Sequence, residues 1–187
     1  WLNFPTLQRR VLYVQAEIPK TSFRNRVIQM GKNLTSVPPG SALFATTFIT
    51  KLDRDQGRKE LLSAVAKFKP QVTILDPMYR FISSSDENAI IRFLDTADEL
   101  KSMYGQTVVV VHHARKSRVN TVGQILDSGG GELRGPLVEQ WADSIIRVQG
   151  DINTDVRSLS FELRNAPQLI PPFNITLDRN SLWFSRI

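Results

Sequence analysis

The sequence has 187 residues, 41% hydrophobic and 22% charged, which is enough to bury one sizeable core and ordinary for a soluble globular domain. No run approaches the roughly 18 apolar residues of a membrane span, and the absence of cysteine excludes disulfides, thiolate metal sites and a cysteine nucleophile. The formal net charge of +6, from 24 Lys and Arg against 18 Asp and Glu, is compatible with a polyanionic partner such as nucleic acid and equally with a generic basic surface.

The start, Trp1-Leu2-Asn3-Phe4-Pro5, resembles no signal peptide and has no initiator Met. Together with the lack of cysteine it predicts a cytoplasmic protein, and a sequence that begins inside a longer gene product. Val11-Leu12-Tyr13-Val14 is a compact apolar run ending near Glu17. Pro19 is suited to open a helix along which Phe23, Val27, Met30 and Leu34 recur at helical spacing. Leu43 to Thr46 reads as a short strand. A helix from about Gln56 to Phe68 turns Leu61, Leu62, Val65 and Phe68 inward and stops at Pro70.

Val72 to Asp76 reads as a strong strand. Ser83 to Ser85 can cap the next helix, with Asp86 and Glu87 in its first turn facing the positive end of the dipole. Ile90, Phe93, Leu94, Ala97 and Leu100 form its apolar stripe, and Gly105 stops it. Thr107 to Val111 is a further strand, apolar on both faces. Such runs, separated by amphipathic helices, predict a mainly parallel sheet covered on both sides. Ile145 to Val148 reads as one more core strand. After it, Leu159, Phe161 and Leu163, then Phe173, Ile175 and Leu177, alternate with polar residues, and a turn over Asp178 to Ser181 precedes Leu182-Trp183-Phe184. That alternation predicts antiparallel strands extending the core at its C-terminal side. The expected fold class is α/β, in a single domain spanning 1–187.

In an open parallel sheet, ligands bind beyond the carboxyl ends of the strands. Three strands here put polar residues there: Glu17 after VLYVQA, Asp76 at the end of VTIL, and His112-His113 after VVVV. An apolar run closed by Asp is a Walker B pattern, where a rigidly held carboxylate orients the water shell of Mg²⁺. Glu17, on a neighbouring strand, suits the positioning of an attacking water. The His pair suits a neutral sensor of phosphate. Arg134 suits either an arginine finger reaching a neighbouring subunit's site or a surface salt bridge.

VLYVQAE, VTILDPMYRF, VVVVHHARK and ELRGPLVEQWADSIIRV together resemble the RecA superfamily, most nearly the branch of RepA-type hexameric replicative helicases and related plasmid and phage ATPases. The similarity runs from about Arg10 to Val148 and implies a RecA-like sheet flanked by helices. By resemblance Glu17 is the catalytic glutamate, Asp76 the Walker B aspartate that binds Mg²⁺ through water, His113 the sensor with His112 as the adjacent alternative, and Arg134 the finger. Pro136 departs from the family's run of small hydroxyl residues after the finger. The family's G-x-x-x-x-G-K-[S/T] loop, which holds the phosphates, has no match: Gly31-Lys32 is followed by Asn33. The resemblance therefore implies a core that lacks this loop and its preceding strand at the N-terminal side, and a gap in the sheet where that strand runs.

The resemblance also implies ATP as ligand, Mg²⁺ as cofactor, a homo-oligomeric ring (a hexamer) or filament, and no membrane. The basic stretch Arg115, Lys116 and Arg118, with Gly129 to Gly131 beyond it, corresponds to the pore loop that meets single-stranded DNA in such rings. It carries no aromatic residue to stack on bases, which predicts electrostatic, weakly sequence-specific contact. The leading expectation is an ATP-dependent enzyme of DNA metabolism. Its rivals are a non-enzymatic RecA-fold module for nucleic-acid binding or assembly, and a regulatory ATPase unconnected to DNA.

Overall fold

The computed structural model describes all residues except 1, 33, 35–41, 47–49, 114–117, 120–124, 128–135 and 152. In chain order its elements are β1 (Arg10–Gln15), α1 (Lys20–Gly31), β2 (Ala42–Thr46), α2 (Asp55–Phe68), β3 (Val72–Asp76), α3 (Met78–Phe81), α4 (Glu87–Tyr104), β4 (Thr107–Val110), β5 (Arg118–Val119), β6 (Ile125–Asp127), α5 (Pro136–Trp141), β7 (Ser144–Gln149), β8 (Val156–Leu163), β9 (Phe173–Asp178) and β10 (Trp183–Arg186). They fall into two compact units. One comprises Leu7–Lys20 and Ser36–His113, the other Trp1–Thr6, Thr21–Thr35 and Ala114–Ile187. Among the described residues no helix is long and apolar enough to cross a membrane.

The first unit is built on a parallel sheet ordered β2-β1-β3-β4. The pairing registers Leu12 with Thr73 and Val14 with Leu75, so these four side chains share a face. All four are fully buried. The inward residues of α2 (Leu61, Val65) and α4 (Ile90, Phe93, Leu94, Ala97, Leu100) are buried as well. The opposite face is less covered than the apolar runs suggest: Val11, Tyr13, Val72 and Ile74 are half-buried and Val109 is 40% exposed. Valine is favoured in a strand by the pleated backbone as well as by burial, so a run of valines overstates how dry its second face is.

Helix α4 ends on the expected signal, but its N-cap is Asp86, expected inside the first turn, and not a residue of Ser83 to Ser85. The Asp86 side chain accepts the Ala89 backbone N–H, and Gly105 closes the helix in the left-handed region at φ 60°. A left-handed residue past the last turn frees the chain to leave the helix axis, and glycine adopts it without a Cβ clash.

The second unit carries the antiparallel sheet β10-β9-β8-β7. Leu159, Phe173 and Ile175 are buried with Leu2, and Phe4, Phe161, Ile170 and Phe184 pack around them. The alternation read along β8 and β9 is thus a one-sided sheet with a dry face. Ile145 to Val148, expected as another core strand, instead lies in β7, an edge strand paired antiparallel with β8. Ile146 is 61% and Val148 58% exposed. A short apolar run reads the same in a buried parallel strand and on the edge of a one-sided sheet.

Helix α1 also departs from expectation. It ends at Gly31 and buries no residue, so Leu34 falls beyond it and Met30 is exposed. It is tied instead through polar contacts, Gln29 Nε2 donating to the carbonyls of Arg179 and Asn180 and Trp183 Nε1 to that of Met30. Within the basic stretch, β5 and β6 form a two-stranded antiparallel ladder with a register shift between Arg118 and Val119.

Candidate functional site

The sheet brings three strand ends to one edge of the first unit. β1 and β3 run side by side with Gln15 opposite Asp76. One residue further, the Ala16 N–H donates to the Asp76 carbonyl at 3.0 Å, so Glu17 emerges next to Asp76. On the other flank of β3 the Val111 N–H donates to the Leu75 carbonyl at 2.9 Å, and the Met78 N–H to the Val111 carbonyl at 2.8 Å. His112 and His113 therefore leave at the same end.

A buried amide shapes the turn that presents Glu17. Gln15, 2% exposed, accepts the backbone N–H groups of Ile18 at 2.8 Å and Glu17 at 3.2 Å on its Oε1. Its Nε2 donates to the Ile18 carbonyl. These contacts satisfy a polar group that burial would otherwise penalise, and they fix the backbone leaving β1.

Each of the two carboxylates is held by a tyrosine. Tyr13, on β1, donates its hydroxyl to Asp76 Oδ2. Tyr79, in the single turn α3, donates to Glu17 Oε1 at 2.8 Å. The His113 Nε2 stands 3.7 Å from Glu17 Oε2, an ion pair when the imidazole is protonated. The His113 and Tyr79 rings meet edge to face, with centroids 5.6 Å apart. Arg80 donates from Nε to the Ala16 carbonyl at 2.9 Å, bracing the segment between β1 and Glu17. The Tyr79 phenol is held above its usual pKa, first by its hydrogen bond to Glu17 and then by burial.

Of the residues singled out from the sequence, Glu17, Asp76 and His113 lie at one sheet edge, and the imidazole that meets Glu17 is that of His113. Arg115, Lys116 and Arg134 lie outside the described residues. Arg118 is placed in β5, though its side chain is not described. Tyr13, Gln15, Tyr79 and Arg80 were not singled out. Tyr13 left one signal, a polar-tipped residue inside the run VLYV. The contacts of Gln15 are local, to Glu17 and Ile18, whereas that of Tyr79 depends on the course of the chain after Asp76.

The chain is similar in structure to a KaiC-like protein of the hyperthermophilic archaeon Pyrococcus horikoshii OT3, with a TM-score of 0.63 at 12% identity, over 96% of this chain and 76% of that one. The likeness shows a RecA-like fold, a parallel sheet with helices followed by an antiparallel C-terminal sheet. No curated protein matches in sequence. Residues 1–119, more than half of the chain, match the AAA domain family, and the chain belongs to that family.

Proposed function

We propose that the protein is an ATP hydrolase of the RecA type that acts on DNA as an oligomer, in the manner of the RepA-type helicases. One observation carries the hydrolase part of this reading, the DNA and oligomer parts resting on the sequence resemblance: Glu17 and Asp76 leave adjacent parallel strands at the same end, each with one carboxylate oxygen held by a tyrosine hydroxyl, and His113 beside Glu17. Asp76 and Glu17 are thereby separated in role. Asp76 is set to hold a cation, and Glu17 to orient a water for attack on the terminal phosphate.

The donor set at Asp76 is suited to Mg²⁺. A single carboxylate fits a cation that keeps most of its own waters. When bound, Mg²⁺ supplies neutralisation of phosphate charge. Glu17 accepts a hydrogen bond from the attacking water through the oxygen Tyr79 leaves free. His113, touching both Glu17 and Tyr79, is placed to respond to the phosphate and pass that state to the chain beyond it. On this reading Arg134 completes a neighbouring subunit's site, and Arg115, Lys116 and Arg118 meet single-stranded DNA.

The test is Asp76→Asn in the full-length protein, which removes the charge and almost no volume. Mg²⁺-dependent ATP hydrolysis is expected to fall by at least about a hundredfold with the circular dichroism spectrum unchanged, a loss of the size typical when a phosphate-site electrostatic group is removed. Unaltered turnover makes Asp76 a structural residue and removes the ATPase reading.

A further inference from the structure

We propose that Tyr79 is a positioning residue for Glu17, its hydroxyl fixing one carboxylate oxygen so that the other is presented to the attacking water. The inference rests on the reading of Glu17 given above and concerns how that residue is held.

Glu17 lies two residues beyond β1, and its side chain is 43% exposed. A partly solvated glutamate has three side-chain torsions, and water activation depends on geometry before basicity. The Tyr79 hydroxyl meets Oε1 at 2.8 Å, while Oε2 faces the His113 imidazole at 3.7 Å. One oxygen is thus held and the other is left toward the neighbouring strand end. Tyr79 steadies the second partner too, since its ring edge lies against His113.

Tyr79 is itself rigidly mounted. Its neighbours Met78 and Phe81 are fully buried. The Met78 N–H is bonded to the Val111 carbonyl, and the Phe81 carbonyl accepts the Leu52 N–H at 2.7 Å. The turn is therefore pinned on both sides while the Tyr79 side chain faces out, 41% exposed, with its hydroxyl engaged by Glu17. A hydrogen bond from a fixed donor to an ionised carboxylate is stronger than one between neutral groups.

The experiment is a double-mutant cycle joined to a measurement that needs no nucleotide. Tyr79→Phe keeps the ring against His113 and removes only the hydroxyl. It is expected to lower kcat for ATP hydrolysis about tenfold with KM changed less than twofold, and to lower the residual rate of Glu17→Gln no further. In protein labelled with ¹³C at tyrosine Cζ, the Tyr79 signal, identified by its loss in Tyr79→Phe, should titrate at higher pH in the wild type than in Glu17→Gln. Equal effects of Tyr79→Phe in both backgrounds, or a Tyr79 titration that ignores Glu17→Gln, overturns the proposal. If Glu17→Gln abolishes turnover and Tyr79→Phe is as active as wild type, only this proposal falls. If Glu17→Gln itself hydrolyses ATP at the wild-type rate, the functional reading falls and takes this proposal with it.

Discussion

Asp86 accepts two hydrogen bonds at the start of α4, from the Ser84 hydroxyl and from the Ala89 N–H at 2.9 Å. The Ser84 contact first and the Ala89 contact second hold its carboxyl below the ordinary carboxylate value. A depressed folded pKa means stability that is fully present above the unfolded value and lost as pH falls through the folded one. Asp86→Ala should therefore lower the urea midpoint at pH 7, and the difference from wild type should shrink steadily once the pH drops below the ordinary carboxylate range. Asp86→Asn, which keeps a capping acceptor, should show little of that pH dependence. A midpoint difference that stays constant down to acid pH refutes the capping account. The sequence showed that a helix starts here but put the cap on Ser83 to Ser85, because Ser and Asp are both good capping residues and four candidates stand in a row. Glu17 and Asp76 were legible because each closes an apolar run. The hydroxyls that hold them were not, because Tyr79 and Glu17 are 62 residues apart in sequence and meet only through the pairing of β1 with β3.

At the scale of elements, α2 shows a constraint that periodicity alone does not reveal. Gly57 sits in its first turn and is buried, and a Cβ built there lies 2.2 Å from the Lys51 carbonyl oxygen. The obstacle is backbone, part of a turn in which Arg54 N–H donates to that same carbonyl at 3.2 Å, so it cannot swing aside as a side-chain tip does. In an open helix Gly→Ala stabilises by about 0.5–1 kcal/mol. Here the sign should reverse, with Gly57→Ala destabilising by about 1–3 kcal/mol, the usual range for overpacking, as read from the denaturant midpoint. A stabilised variant shows that the turn before α2 yields freely. The same contrast explains which elements the sequence disclosed. α4 announced itself through a five-residue apolar stripe closed by Gly105, since its core face and its stop agree. α1 was disclosed as a helix but not in its length or setting, because its spacing of Phe23, Val27, Met30 and Leu34 matches a stripe that the helix never buries. β7 was misplaced for a complementary reason: Ile145, Ile146 and Val148 carry strand propensity, but nothing local says which sheet a strand will join or whether it will lie at its edge.

At the scale of the whole molecule, the net charge of +6 bears on the proposal that the protein acts on DNA. A single strand binds such a surface by releasing the counterions of the phosphates it covers, so log K against log salt is linear with a slope of about −0.7 per neutralised phosphate. A diffuse basic surface and a dedicated loop both give a negative slope, and only local substitution separates them. If Lys116 and Arg118 each meet one phosphate, removing both by Lys116→Ala and Arg118→Ala should flatten the slope by about 1.4 and weaken binding similarly for different sequences of equal length. Sequence-independence follows because the stretch from Arg115 to Asn120 contains no aromatic side chain to stack on a base. The control is loss of two basic residues remote in sequence, Lys67→Ala with Lys69→Ala at the C-terminal end of α2, which lowers the net charge equally. Fluorescence anisotropy with a labelled oligonucleotide across a salt series gives both slopes. Flattening by the Lys116 and Arg118 pair alone places the DNA contact on that stretch, equal small changes in both variants mean binding to the overall field, and a slope untouched by the Lys116 and Arg118 pair puts any nucleic-acid surface elsewhere in the chain.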